Sequence, residues 1–116
     1  MDLHDKWQLI PEGTDVLITH GPPKDVLDLC GGWDIQRRCG CYDMRERLKV
    51  IKPKLHVFGH IHHSYGTAGW VESDTLFVNA SICNENYDPV NKPIVVDLVP
   101  GGRAQVVLAQ EPEQGE

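Results

Sequence analysis

The stretch LHVFGHIHHSYG, residues 55–66, places three histidines within four positions, directly behind an apolar run and a glycine. Its first part, with Lys54, reads as KLHVF, a short apolar strand of the kind buried on both faces. A strand that ends in a burst of imidazoles is chemically unusual, and the rest of the chain is read outward from it. Upstream, DVLIT at 15–19 has the same texture and runs straight into HGPP, where a glycine and two prolines end any regular element. Between the two strands, CYDMRERLKVI at 41–51 spaces Met44, Leu48 and Ile51 by four and three, the stripe of an amphipathic helix closed by Pro53. Strand, loop, helix and strand make a βαβ unit, which is parallel and right-handed.

The flanks are simpler. DKWQLIPEG reads as a short helix or turn that stops at Pro11, and residues 24–41 read as irregular, with loops at Gly31-Gly32 and at Cys39-Gly40-Cys41. Beyond Gly66, the segments GWVES, TLFVNAS, PIVVDL and RAQVVLA read as short strands separated by turn residues, an antiparallel meander. Residues 111–116, EPEQGE, read as a disordered tail. Two buried parallel strands ask for cover on both faces, and one good helix supplies it on one only.

With 116 residues the chain is one domain or part of one. Its formal charge of −6 disfavours a phosphate backbone as partner, so nucleic acid is not expected. The basic cluster Arg37, Arg38, Arg45, Arg47 and Lys49 is read as a solvated helix face. No apolar run is long enough to span a membrane, and MDLHDKW is not a signal peptide, so a cytoplasmic location is expected. In that setting Cys30, Cys39, Cys41 and Cys83 are expected as reduced thiols. The spacing of Cys39 and Cys41 suits neither a mutual disulfide nor a zinc knuckle.

His20 follows one strand directly, and His60 follows the other after one glycine. Ligands of open α/β sheets bind at the carboxyl ends of strands, so neighbouring parallel strands bring these two residues together. His62, two positions further in extended backbone, points to the same side as His60. Three neutral imidazoles, His20, His60 and His62, are thus candidates for a shared volume suited to a divalent transition metal, manganese, iron or zinc. Gly21 and Gly59 are expected to let the chain turn tightly there. His56 lies inside its strand and reads as a hydrogen-bonded core histidine, and His63 reads as a rim residue. His4, in Asp2-Leu3-His4, follows no strand that would aim it at the site. A dinuclear phosphoester clamp needs more donors than three histidines provide, including a bridging carboxylate.

Three stretches in order, GTDVLITHGPP, KPKLHVFGHIHHSYG and TLFVNASICNENYDPVNKPIVVDL, resemble the calcineurin-like metallophosphoesterases, in particular the metallophosphoesterase-domain proteins near the class III cyclic-nucleotide phosphodiesterases. The likeness runs from about Trp7 to Leu98. It implies an α/β fold, here the C-terminal half of a four-layer α/β/β/α sandwich over residues 1–110, built from one βαβ unit and a mostly antiparallel meander. It implies that His20 and His60 share one metal and that His62 serves its neighbour, with a small phosphoester substrate such as a nucleotide. The family's Asp-x-His, Gly-Asp and Gly-Asn-His motifs have no counterpart in these residues. The resemblance is therefore to the C-terminal half alone, and this chain by itself is not expected to be a complete catalyst. Two rival readings are a non-catalytic truncated product acting as a binding module, and a small metal-binding or structural β-module built on the thiols and histidines.

Overall fold

The computed structural model describes residues 2–31 and 37–107. Helix α1, Leu3–Gln8, is capped by Asp2, whose carboxylate accepts the Asp5 N–H at 3.0 Å. Strand β1 is Val16–Ile18, helix α2 is Tyr42–Ile51 and strand β2 is Leu55–Phe58. A single 3₁₀ turn, His62–Ser64, leads to β3, Gly66–Ala68. Strands β4, Leu76–Asn79, β5, Val96–Leu98, and β6, Ala104–Val106, complete the described elements.

Helix α2 forms where the periodicity predicts it. Met44, Leu48 and Ile51 are buried, and Cys41 serves as its N-cap, its thiol accepting the Met44 N–H at 3.4 Å. The helix ends at Lys52, which takes a left-handed conformation (φ 49°) immediately before Pro53, a residue that cannot continue it.

Four strands form one sheet in the order β1-β2-β4-β3. The pairs β1–β2 and β2–β4 are parallel, and β3 closes the far edge antiparallel to β4. Strands β5 and β6 form a separate antiparallel ribbon. The fold is mixed α/β, in three layers. On one face of the sheet, Phe58 and Phe77 pack with Met44 and Leu48 of α2, with Val26, and with Trp7 of α1. On the other, Leu55, Val57 and Val78 pack against Ala104, Ile94 and Val96 of the ribbon. The second cover that the buried strands demand is thus a β-ribbon rather than a second helix.

Several expectations change. TLFVNAS does form a strand, but it lies parallel beside β2, so the downstream segments are not a simple antiparallel meander; only β3–β4 and β5–β6 are antiparallel. The strand expected over GWVES sits instead at Gly66–Ala68, because the left-handed Gly66 (φ 139°) opens it and residues 71–74 bend. DVLIT is not covered on both faces. Val16 and Ile18 align with Leu55 and Val57, the ribbon stops short of them, and Ile18 remains 75% exposed. Nor is the basic cluster simply solvated: Arg47 donates to the Ile10 carbonyl and Arg38 pairs with a buried aspartate. Gly32, the residues beyond Val107 in RAQVVLA and the tail at 111–116 lie outside the described residues.

Candidate metal centre

Strands β1 and β2 end side by side, and their exits are tied together. The Thr19 N–H donates to the Val57 carbonyl at 3.0 Å, and the Gly59 N–H donates to the His20 carbonyl at 3.1 Å. From these turns the two imidazoles meet, forty residues apart in sequence. The ring centroids of His20 and His60 are 4.4 Å apart and tilted by 38°. Neither Gly21 nor Gly59 is among the residues with positive φ. The left-handed residue at the site is His60 itself, with φ 70°. That backbone turn is what swings its ring toward His20. Both side chains are exposed, and among the described residues neither ring is hydrogen-bonded to protein, so both can act as donors.

His62 goes elsewhere. The left-handed turn at His60 and the 3₁₀ turn that starts at His62 break the alternation on which a same-side placement depends. Its Nδ1 lies 3.1 Å from the Asn84 carbonyl, and its ring meets Tyr87 edge-on at 5.2 Å. It faces a cavity of about 520 Å³ lined also by His60, His63, Glu85 and Gly31. His20 faces a second cavity of about 450 Å³, lined by Trp7, Pro22, Cys41, Tyr42 and Met44, and His60 again borders it. His60 is therefore the wall between two hollows, paired with His20 in one and followed by His62 in the other. His63 sits at the rim, its Nδ1 3.6 Å from the Glu85 carboxylate. His4 lies on exposed α1.

The loop that frames both hollows is held by Asp28, which is fully buried. Its carboxylate accepts the Asp25 N–H at 2.8 Å, the Gly40 N–H at 2.9 Å and the Arg38 guanidinium at 2.9 Å. Leu29 and Arg38 bridge in antiparallel fashion at the neck, and this brings Cys30 and Cys39 together as a disulfide with Cα atoms 6.0 Å apart. The expectation of four reduced thiols therefore holds for Cys41 and Cys83 only. The neck pairing, invisible in the cysteine spacing, is the reason. Cys41 also accepts the Trp7 indole N–H at 3.3 Å, which fixes α1 beside the N-terminus of α2.

His56 is fully buried, as its place in the strand suggests. Its ring packs against Phe58 and Phe77. Its Nε2 lies 2.9 Å from the Thr19 hydroxyl, and burial lowers its pKa from 6.5 to about 4. Asn79, also fully buried, donates to the Ile61 carbonyl at 2.9 Å and anchors the loop between His60 and His62. Sequence reasoning passed over Asp28, Asn79, Asn84 and Tyr87, since each earns its role from long-range placement that carries no local pattern.

No family model matches the chain. It is 50% identical over 99 residues to metallophosphoesterase domain-containing protein 1 of Homo sapiens and of Mus musculus, a match covering 83% of this chain and 28% of each relative. A UPF0046 protein of Caenorhabditis elegans is 43% identical over 97 residues, covering 83% of this chain and 23% of the relative. The chain is homologous to metallophosphoesterase-domain proteins. It spans roughly a quarter of the length of these curated relatives. Two of these relatives are named for a metallophosphoesterase domain, and the donor set of this chain would fit a metal ion in part. His20 and His60 offer two neighbouring neutral nitrogens. Among the described residues, however, no group of three or more His, Cys, Asp or Glu side chains is gathered to hold an ion.

Proposed function

We propose that this chain contributes part of the dinuclear metal site of a phosphodiester-hydrolysing metallophosphoesterase, as the C-terminal portion of the catalytic domain. His20 and His60 bind one divalent ion and His62 a second, with manganese the leading candidate and iron or zinc as alternatives. The observation that carries this reading is the meeting of the His20 and His60 rings at the ends of adjacent parallel strands. The 50% identity to a metallophosphoesterase-domain protein supports it. Ions held by these histidines would supply water activation and charge neutralisation at a phosphoryl group. The substrate is a small phosphoester, a nucleotide being the favoured class, and the setting is cytoplasmic.

The role of the chain's own residues is to present imidazoles at fixed strand ends and to border the two hollows on either side of His60. Among the described residues no group of three or more His, Cys, Asp or Glu side chains is gathered to hold an ion, so on this reading hydrolysis takes groups from elsewhere in an intact domain. That same observation favours a second reading, in which the chain alone binds metal or a partner without turnover.

Native mass spectrometry of the purified chain with excess manganese separates the readings. One or two bound ions, lost on His20→Ala or His60→Ala, support the metal site. Binding that survives alanine at 20, 60 and 62 together refutes it. Turnover of a cyclic nucleotide by the chain alone would overturn the need for outside groups.

A further inference from the structure

One buried histidine is not used by the metal site yet lies next to it. The Thr19 hydroxyl makes two contacts, 2.8 Å to the Gly21 carbonyl and 2.9 Å to His56 Nε2. A hydroxyl has one proton. A carbonyl cannot donate, so that proton goes to Gly21. His56 Nε2 must then carry its own proton and donate it to the Thr19 oxygen. The opposite tautomer would leave two lone pairs facing each other at 2.8 or 2.9 Å. It would also bury an unpaired Nδ1–H, since Nδ1 has no partner among the described residues. The tautomer of His56 is thereby fixed by its surroundings, and the hydrogen bonds run one way, from His56 to Thr19 to Gly21.

The chain of bonds starts in the core and ends at the turn bearing His20. His56 is fully buried, flanked by Phe58 and Phe77 and aligned with Leu17 in the β1–β2 ladder. Thr19 and Gly21 flank His20 on both sides. We propose that His56 is a positioning residue: through the Thr19 hydroxyl it clasps the Gly21 carbonyl and so holds the turn on which His20 meets His60. Its consequence for metal affinity rests on the proposed metal site, whereas the clasp itself does not. The role differs from packing, since a residue of the same bulk without the donor would fill the space and release the turn.

The test uses the 116-residue chain labelled for nuclear magnetic resonance, with manganese affinity measured alongside. In the wild type, His56 shows the Nε2–H tautomer, and the His20 and His60 rings give a direct ring-to-ring contact. Thr19→Val keeps the shape and removes the hydroxyl; His56→Phe keeps the bulk and removes the donor. Both are expected to lose the ring contact and to weaken manganese binding about tenfold, the lower end of effects seen when outer hydrogen-bond partners of ligands are removed. His56→Gln, whose amide can still donate, is expected to restore both. If His56→Phe does not fold, Thr19→Val decides alone. Persistence of the ring contact in Thr19→Val, or an Nδ1–H tautomer in the wild type, overturns the proposal. If His20→Ala leaves manganese affinity unchanged while the ring contact still depends on Thr19, the clasp stands and the metal reading falls.

Discussion

Replacing Asp28 by alanine removes the acceptor of three donors at once. The Asp25 and Gly40 amides lose a 2.8 Å and a 2.9 Å bond, with Asp25 itself exposed and Gly40 half-buried. Leaving a fully buried donor unpaired costs about 1–3 kcal/mol, and the lower end applies to these two because water reaches them. The Arg38 guanidinium loses its 2.9 Å bond too, but its side chain is 41% exposed, so water replaces the carboxylate at little cost. The expected loss is about 2 kcal/mol, a real share of the roughly 5–15 kcal/mol that stabilises a typical domain. Both amides bond the same carboxylate oxygen, so Asp28→Asn, which keeps one oxygen and the volume, should lose well under half as much. Arg38→Ala should cost under about 1 kcal/mol. Urea unfolding followed by tryptophan fluorescence reads all three, since Trp7 and Trp70 both pack on the core. The reasoning fails if Asp28→Ala stays within about 1 kcal/mol of wild type, or if Arg38→Ala costs as much as Asp28→Ala. The latter would make the ion pair, rather than the amide clasp, the source of stability.

Three further outcomes are expected. In Gly40→Ala the new methyl would lie 2.3 Å from the Pro23 carbonyl oxygen, against backbone that cannot yield, so unfolding should shift by about 3 kcal/mol in the same urea assay. Burial keeps His56 neutral down to about pH 4, whereas the unfolded chain takes up the proton near 6.5. Stability should therefore be complete above about pH 6.5 and fall by up to about 3 kcal/mol as pH drops toward 4, a slope that His56→Gln should flatten in thermal melts. Thiol counting on the denatured, unreduced chain should find two groups, Cys41 and Cys83; four would show that Cys30 and Cys39 are not paired.

What the sequence made legible was whatever depends on local period. Met44, Leu48 and Ile51 mark α2 by their spacing, and the apolar runs at 15–19 and 54–58 mark β1 and β2. The strand-end rule then carries His20 to His60 without further help. The misses have a common cause. TLFVNAS has the texture of a strand but nothing in it says parallel or antiparallel, since that is decided by the chain reversal at residues 66–75. The same-side placement of His62 rests on alternation, which presumes extended backbone, and the left-handed His60 interrupts that alternation without bearing on a role for His62 at a second ion. The Cys30–Cys39 pair depends on the Leu29–Arg38 bridge, a contact that composition does not encode.

The positive φ of His60 sets folding and chemistry against each other at one position. A side chain in the left-handed region costs about 1–2 kcal/mol that glycine would not. Selection for thermal tolerance alone should accordingly enrich glycine or asparagine at position 60, producing chains that melt higher and, on the proposed metal site, bind the ion more weakly. A library sorted for metal retention should keep the histidine and tolerate the lower melting point. Comparing the two sorted pools would measure how much stability this backbone gives up to aim a single imidazole.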